Sequence, residues 1–118
     1  MTPEEVKAKV REAYGKAQKN RNVWWQRNSG INDLFRDVKL YGREAGIDFS
    51  KTHLDKIVHE AVETAGCGVP ALEMTIHGFG RAALDGMAHA LREFTALDVE
   101  VHGTTVKLIW EETSPGLV

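Results

Sequence analysis

The sequence predicts a single α+β domain in which three N-terminal helices precede a β-α-β-β unit, its three-stranded sheet covered on one face by helices. Three observations carry that prediction. Apolar residues recur at helical spacing up to about residue 66, then alternate with polar ones just after Pro70. The final stretch closes as a hairpin around Gly103-Thr104 in which Val101 faces Val106, Val99 faces Leu108 and Leu97 faces Trp110, while Glu100 faces Lys107 on the other side. Hydrophobic pairs and a charge pair therefore agree on one register. Between the first strand and the hairpin, Leu84, Met87, Ala88, Leu91 and Phe94 return to helical spacing.

The first helix opens at Thr2-Pro3-Glu4-Glu5, where Thr2 and Glu5 are placed as a capping box around a proline at the first helical position. Val6, Val10, Ala13, Tyr14 and Ala17 share its inner face, and Lys7, Lys9, Arg11, Lys16 and Lys19 lie opposite. Gly15 costs about 1 kcal/mol relative to alanine, so this helix relies on packing and ends near Asn20 or Asn22. Spacing predicts a second helix from about Asn32, with Ile31, Leu34, Phe35, Val38, Tyr41 and Ala45 in phase and Gly46 ending it. A third helix is expected after Ser50 as its cap, Phe49 stapling onto Leu54, with Leu54, Ile57, Val58, Ala61 and Ala65 inside and Gly66 closing it. Leu72, Met74 and Ile76 then alternate with Glu73, Thr75 and His77 as a strand buried on one face.

One domain over residues 1–112 follows, with a helical part at 1–66 and the β-α-β-β part at 70–112. Neither part alone holds enough core for independent strength. Residues 113–118 read as a short tail that ends the last strand at Pro115. With 118 residues the chain buries roughly two thirds of its unfolded surface, so no disulfide staple is needed. The single cysteine, Cys67, excludes an internal disulfide framework and suits a reducing, cytoplasmic setting. The start Met-Thr-Pro-Glu-Glu lacks the basic and apolar segments of a signal peptide, and no apolar run approaches a membrane span.

The net charge of −2 conceals a segregation. Residues 1–43 carry ten Lys/Arg against five Asp/Glu, whereas residues 44–118 carry five against twelve. Such polarity steers association without defining a fold, and ordinary solvated faces produce it too. The functional signal lies in Arg21-Asn22-Val23-Trp24-Trp25-Gln26-Arg27-Asn28, where two of the three tryptophans sit between arginines and outside any helical or strand period. Adjacent side chains point apart, so one ring can plug the core while the other is presented. Presented beside Arg21 and Arg27, that ring suits a protein interface or stacking on an unpaired base, since tryptophan and arginine dominate both kinds of contact. Lys9, Lys16 and Lys19 extend the same basic region.

Catalytic and ligand-binding motifs are weaker. Gly78-Phe79-Gly80-Arg81-Ala82-Ala83 has the G-x-G-x-x-A spacing between a strand and a helix, and with His77 and Arg81 it is a candidate anion site. A dinucleotide fold is excluded because only 35 residues follow Ala83, and a tight strand-to-helix turn uses the same glycines. Asp55, His59 and Glu63 share one helix face at metal-ligand spacing, which is equally the spacing of a solvated helix, and no metal is assigned. Glu73, Thr75 and His77 with Asp98, Glu100 and His102 collect on the outer sheet face, where nothing covers them to shift a pKa. The second and third helices resemble a helix-turn-helix in order only: Asp55, Glu60 and Glu63 oppose phosphate contact. Cys67, glycine-flanked and without a base, reads as structural.

The expectation is a non-enzymatic interaction protein, an adaptor, inhibitor or regulator of a larger assembly, binding a protein partner and needing no cofactor. Its size suits an accessory protein of a phage or mobile element. The alternatives are a single-stranded nucleic-acid binder using the basic Trp-containing region, and a small anion- or phosphate-binding enzyme module at His77, Gly78, Gly80 and Arg81.

Overall fold

A computed structural model describes residues 1–19 and 30–111. Helix α1 spans Pro3–Lys19, and a 3-10 helix spans Gly30–Phe35. Helices α2 (Arg43–Thr52) and α3 (Leu54–Gly66) follow, then strand β1 (Ala71–Thr75), helix α4 (Arg81–Thr95) and strands β2 (Asp98–His102) and β3 (Thr105–Ile109). The sheet order is β1-β3-β2 and every pairing is antiparallel. This is the expected α+β class, with helices packed on the sheet.

Local chemistry explains the elements that match expectation. Thr2 Oγ1 accepts the Glu5 amide at 3.2 Å and so caps α1. Gly103 takes φ +61°, the left-handed conformation that a tight hairpin turn requires. The hairpin then pairs Val101 with Val106, Glu100 with Lys107 and Val99 with Leu108, as expected. Helix α4 ends at Ala96, whose φ of 55° lets its amide bond back to the Arg92 carbonyl.

The second helix predicted over residues 32–46 is not formed as one piece. The 3-10 helix stops at Phe35, Asp37 turns the chain at φ 61°, and Leu40 runs extended beside Phe79 as a parallel bridge. Tertiary hydrogen bonds outweigh the helical spacing here: the Leu40 amide donates to the Gly78 carbonyl at 3.1 Å, and the Gly80 amide donates to the Leu40 carbonyl at 2.8 Å. Phe35, Phe49 and Phe79 lock the crossing, with Phe79 meeting the other two rings edge-on at centroid distances of 6.1 and 5.3 Å.

Two further expectations are corrected by the same region. Helix α2 starts at Arg43, so Gly46 lies inside it rather than ending it, and Ser50 is not the cap of α3. The Ser50 hydroxyl is buried and donates back to the Gly46 carbonyl at 2.9 Å. The break comes at His53, next to Thr52, whose hydroxyl donates back to the Asp48 carbonyl at 2.9 Å; such back-bonding bends helices. The Phe49 ring lies tilted against His53, centroids 4.4 Å apart.

The core lies between the inner sheet face and the helices. Leu72, Met74, Val99, Val106 and Leu108 meet Leu84, Met87, Ala88 and Leu91 of α4, Ile57, Ala61 and Ala65 of α3, and Val6 and Val10 of α1. Trp110 closes its end: only 2% exposed, it donates Nε1–H to the Val69 carbonyl at 2.9 Å and its own amide to the Pro70 carbonyl at 3.3 Å. Arg11 of α1 donates to the Trp110 carbonyl at 3.3 Å, which ties the first helix to the last strand.

Tyr14 adds a pH-sensitive joint at that end. Burial, and after it a hydrogen bond donated to the Glu111 carboxylate with the charge of that carboxylate, raise its pKa above the ordinary tyrosine value. A raised folded-state pKa gives a contribution to stability that is present below the unfolded pKa of about 10 and is lost as pH rises through the folded value. Melting curves between pH 8 and pH 11 are therefore expected to fall more steeply for the wild type than for Tyr14→Phe, which lacks the titrating proton.

Candidate partner-binding surface

The basic face of α1 follows from its amphipathic spacing. Val6, Val10 and Ala17 are buried, which turns Lys9, Lys16 and Lys19 to solvent. Lys16 pairs with Glu12 at 3.1 Å, and both side chains are largely exposed, so that pair contributes little to stability. Lys9 instead borders an apolar cleft of about 280 Å3 between α1 and α3, lined by Met1, Val6, Leu54, Val58 and Val62 among others.

A second cleft of about 660 Å3 lies alongside, walled by Ile31 and Leu34 of the 3-10 helix and by Asp55, Lys56, His59 and Glu60 of α3. Asp55 and His59 line both clefts and so mark where they meet. The smaller cleft has a cause visible in α3. Ile57, Ala61 and Ala65 form a buried stripe, and Leu54, Val58 and Val62 form a neighbouring half-buried stripe. A helix with two adjacent apolar stripes has more hydrophobic surface than one core face uses. Val62 at i+4 from Val58 was the sequence signal for the second stripe.

Residues Arg21, Trp24, Trp25 and Arg27 lie outside the described residues. Their chain segment joins α1 to the 3-10 helix, and Ile31, close to where that segment rejoins, is a wall of the larger cleft.

The strand-to-helix turn at 77–81 is organised around Leu40. The Gly78 carbonyl and the Gly80 amide are both bonded to that residue, so neither glycine's role requires an anion. A Cβ on Gly78 would collide with the Val38 carbonyl, and one on Gly80 would meet Tyr41 Cδ1 at 3.3 Å. Glycine at 78 is thus needed for the close passage of residues 38–41. Arg81 points along its own helix to Asp85, Nε to Oδ1 3.3 Å. His77 is exposed and lines a different cleft of about 670 Å3 with Arg36, Lys39, Asp33 and Asp37, in which Arg36 is already paired with Asp33 at 2.6 Å. His77 and Arg81 are therefore not shown to converge.

The other candidate clusters are also dispersed. His59 pairs with Glu63 at 3.7 Å on an exposed helix face, and no group of three metal-ligating side chains is found among the described residues. On the outer sheet face Lys107 stands in the central strand between Glu73 and Glu100. Its ammonium lies 3.8 Å from Glu73, while Glu100 lies 3.4 Å from His102. Thr75 and Thr105 face each other across β1 and β3 with hydroxyls 3.5 Å apart. The position of Lys107 between the carboxylates was not foreseen from the sequence. Cys67 follows α3 as its C-cap, its amide held by the Thr64 carbonyl at 3.1 Å, which is a structural position. Among the described residues no helix is long and apolar enough to cross a membrane.

No protein-family model, curated protein or solved structure matches this chain.

Proposed function

We propose that the protein is a non-enzymatic interaction module that binds a protein partner on the α1/α3 side, in the manner of an adaptor, inhibitor or regulator. The observation that carries this reading is the cleft between α1 and α3, which Lys9 of the basic α1 face borders and which adjoins a second cleft along α3. Clefts with apolar floors, rimmed by Lys9 and Lys56 together with Asp55 and Glu60, suit a helix or loop that presents one or two apolar anchors among residues of both charges. Trp24 or Trp25, with Arg21 and Arg27, supplies the anchoring contact in this reading, because buried tryptophan and arginine carry most of the energy of such interfaces. A lone cysteine supports a reducing, cytoplasmic setting. The acidic sheet face and the 78–80 turn are scaffold in this account.

Exposed lysines on α1, followed in sequence by a tryptophan pair, also suit single-stranded nucleic acid, and salt separates the two readings. Each phosphate neutralised on a single strand contributes about 0.7 to the slope of log affinity against log salt. Fluorescence anisotropy with short single-stranded RNA and DNA is expected to show no binding that Trp24→Ala with Trp25→Ala abolishes. Tight binding at low salt that weakens with such a slope, and is lost in the Trp variant, would replace the protein partner with a nucleic acid.

A further inference from the structure

The two walls of the larger cleft beside α3 differ in kind. On the wall formed by the 3-10 helix the apolar groups are Ile31, only 4% exposed, and half-buried Leu34. Asp33 of that wall is already countered by Arg36 at 2.6 Å. The α3 wall is polar, with Asp55, Lys56, His59 and Glu60, and one turn beyond His59 stands Glu63, 3.7 Å from that ring. Three carboxylates, Asp55, Glu60 and Glu63, therefore oppose the single Lys56 along the helix, a net charge of −2 with His59 neutral. Asp55 and His59 line both clefts and so form the ridge between them, which leaves Lys9 on the far side, in the smaller cleft. The Asp55 carboxylate makes no ion pair among the described residues.

We infer that the larger cleft takes an apolar side chain flanked by lysine or arginine, so that the partner presents a basic amphipathic segment there. The inference rests on the α1/α3 docking reading and places the partner's basic residues within it. Charge decides the occupant. A side chain that enters against Leu34 brings its neighbours over Asp55 and Glu60, where a carboxylate would meet like charge and a cation meets its complement. At Asp55 that cation has no existing ion pair to displace. Lysine and arginine also lay their stems on apolar surface while the charged head stays in water, which fits a rim of this kind. A second copy of this chain does not supply such a segment from its lysine-rich helix, because the apolar face of α1, with Val6, Val10 and Ala17, is buried in its own core.

The test uses the full chain and three fluorescein-labelled, end-blocked helical peptides. One carries leucine anchors flanked by lysine, one the same anchors flanked by glutamate, and one lysine flanks with serine in place of leucine. Fluorescence anisotropy is expected to show the lysine-flanked leucine peptide binding at least about tenfold more tightly than either of the others. Amide resonances of Leu34 and His59 in isotope-labelled protein should shift as it binds. Asp55→Asn with Glu60→Gln should weaken that peptide about tenfold at low salt, whereas Glu73→Gln with Glu100→Gln, which removes as many carboxylates from the outer sheet face, should change it by less than about twofold. An equal loss in the Glu73/Glu100 variant would overturn the inference, since the peptide would then be reading net charge alone, as would undiminished binding of the serine peptide. Tighter binding of the glutamate peptide with the same resonances moving would overturn it too, while leaving the α1/α3 docking reading in place. If no peptide moves those resonances, the inference and that reading fail together.

Discussion

Gly86→Val is expected to lower the stability of the domain by roughly 3 kcal/mol, with a fall in melting temperature on the order of 10 °C. Helices α2 and α4 meet backbone to backbone. A Cβ on Gly86 would collide with the Arg43 carbonyl, and a Cβ on Gly46 would collide with the Ala83 carbonyl. The two contacts are reciprocal: Arg43 and Gly46 on one helix face Gly86 and Ala83 on the other, three residues apart in each. Because the obstacle is main chain rather than the end of a flexible side chain, a larger residue can be accommodated only by separating the helices. Separation would also pull Phe49 of α2 away from Phe79, 5.3 Å distant at present. Gly15→Ala is the internal control. That position lies in α1 with nothing within 4 Å of an added Cβ, so the same kind of change should stabilise by up to about 1 kcal/mol. Chemical denaturation of both variants reads the two signs.

Trp110→Ala should cost about 3 to 5 kcal/mol, the range for removing a large buried aromatic side chain. The ring is nearly inaccessible and its Nε1–H is satisfied by the Val69 carbonyl, so truncation opens a cavity and leaves that acceptor without its partner. Trp110→Phe separates the two effects. It keeps most of the apolar volume and loses the hydrogen bond, for which a loss of about 1 kcal/mol plus a smaller packing term is expected. Equilibrium unfolding in urea measures both. A loss below about 1 kcal/mol in Trp110→Ala would mean that the ring is not the keystone between β3, the 69–70 turn and α1 described above.

These two predictions also show which parts of the fold were legible in the sequence. The hairpin was legible because each pair satisfied a local rule on both faces: Val101 with Val106 inside, Glu100 with Lys107 outside, Gly103 at the turn. Helix α4 and the cap of α1 were legible for the same reason, since their signals lie within one or two turns of chain. The break between residues 36 and 42 was not. Leu34, Phe35, Val38, Tyr41 and Ala45 satisfy helical spacing, yet Leu40 is held by residues 78 and 80, about forty positions away in sequence. Gly46 misled in a related way. As a residue type it marks helix ends, whereas here its value is the missing Cβ opposite Ala83, which only the packed pair of helices reveals.

The candidate surface was legible in part. That Lys9, Lys16 and Lys19 face solvent followed from the amphipathic spacing of α1. The adjoining clefts did not follow, because they depend on how α1 flanks the second apolar stripe of α3 and how the 3-10 helix flanks Asp55, Lys56, His59 and Glu60. The glycines at 78 and 80 looked like a phosphate cradle because the same lack of a side chain serves an anion and a passing backbone; the bonds to Leu40 show the second use.

If a protein partner is held through Trp24 or Trp25 with the basic residues of the N-terminal region, affinity capture from a nuclease-treated native-host lysate will reveal it. Wild type, Trp24→Ala with Trp25→Ala, and Arg81→Ala with His77→Ala would be immobilised side by side, with circular dichroism verifying each fold. One polypeptide should be retained equally by wild type and the Arg81/His77 variant, and at least about thirtyfold more weakly by the Trp variant, the equivalent of roughly 2 kcal/mol. Undiminished capture by the Trp variant together with loss in the Arg81/His77 variant would show instead that the contact lies at the 77–81 turn.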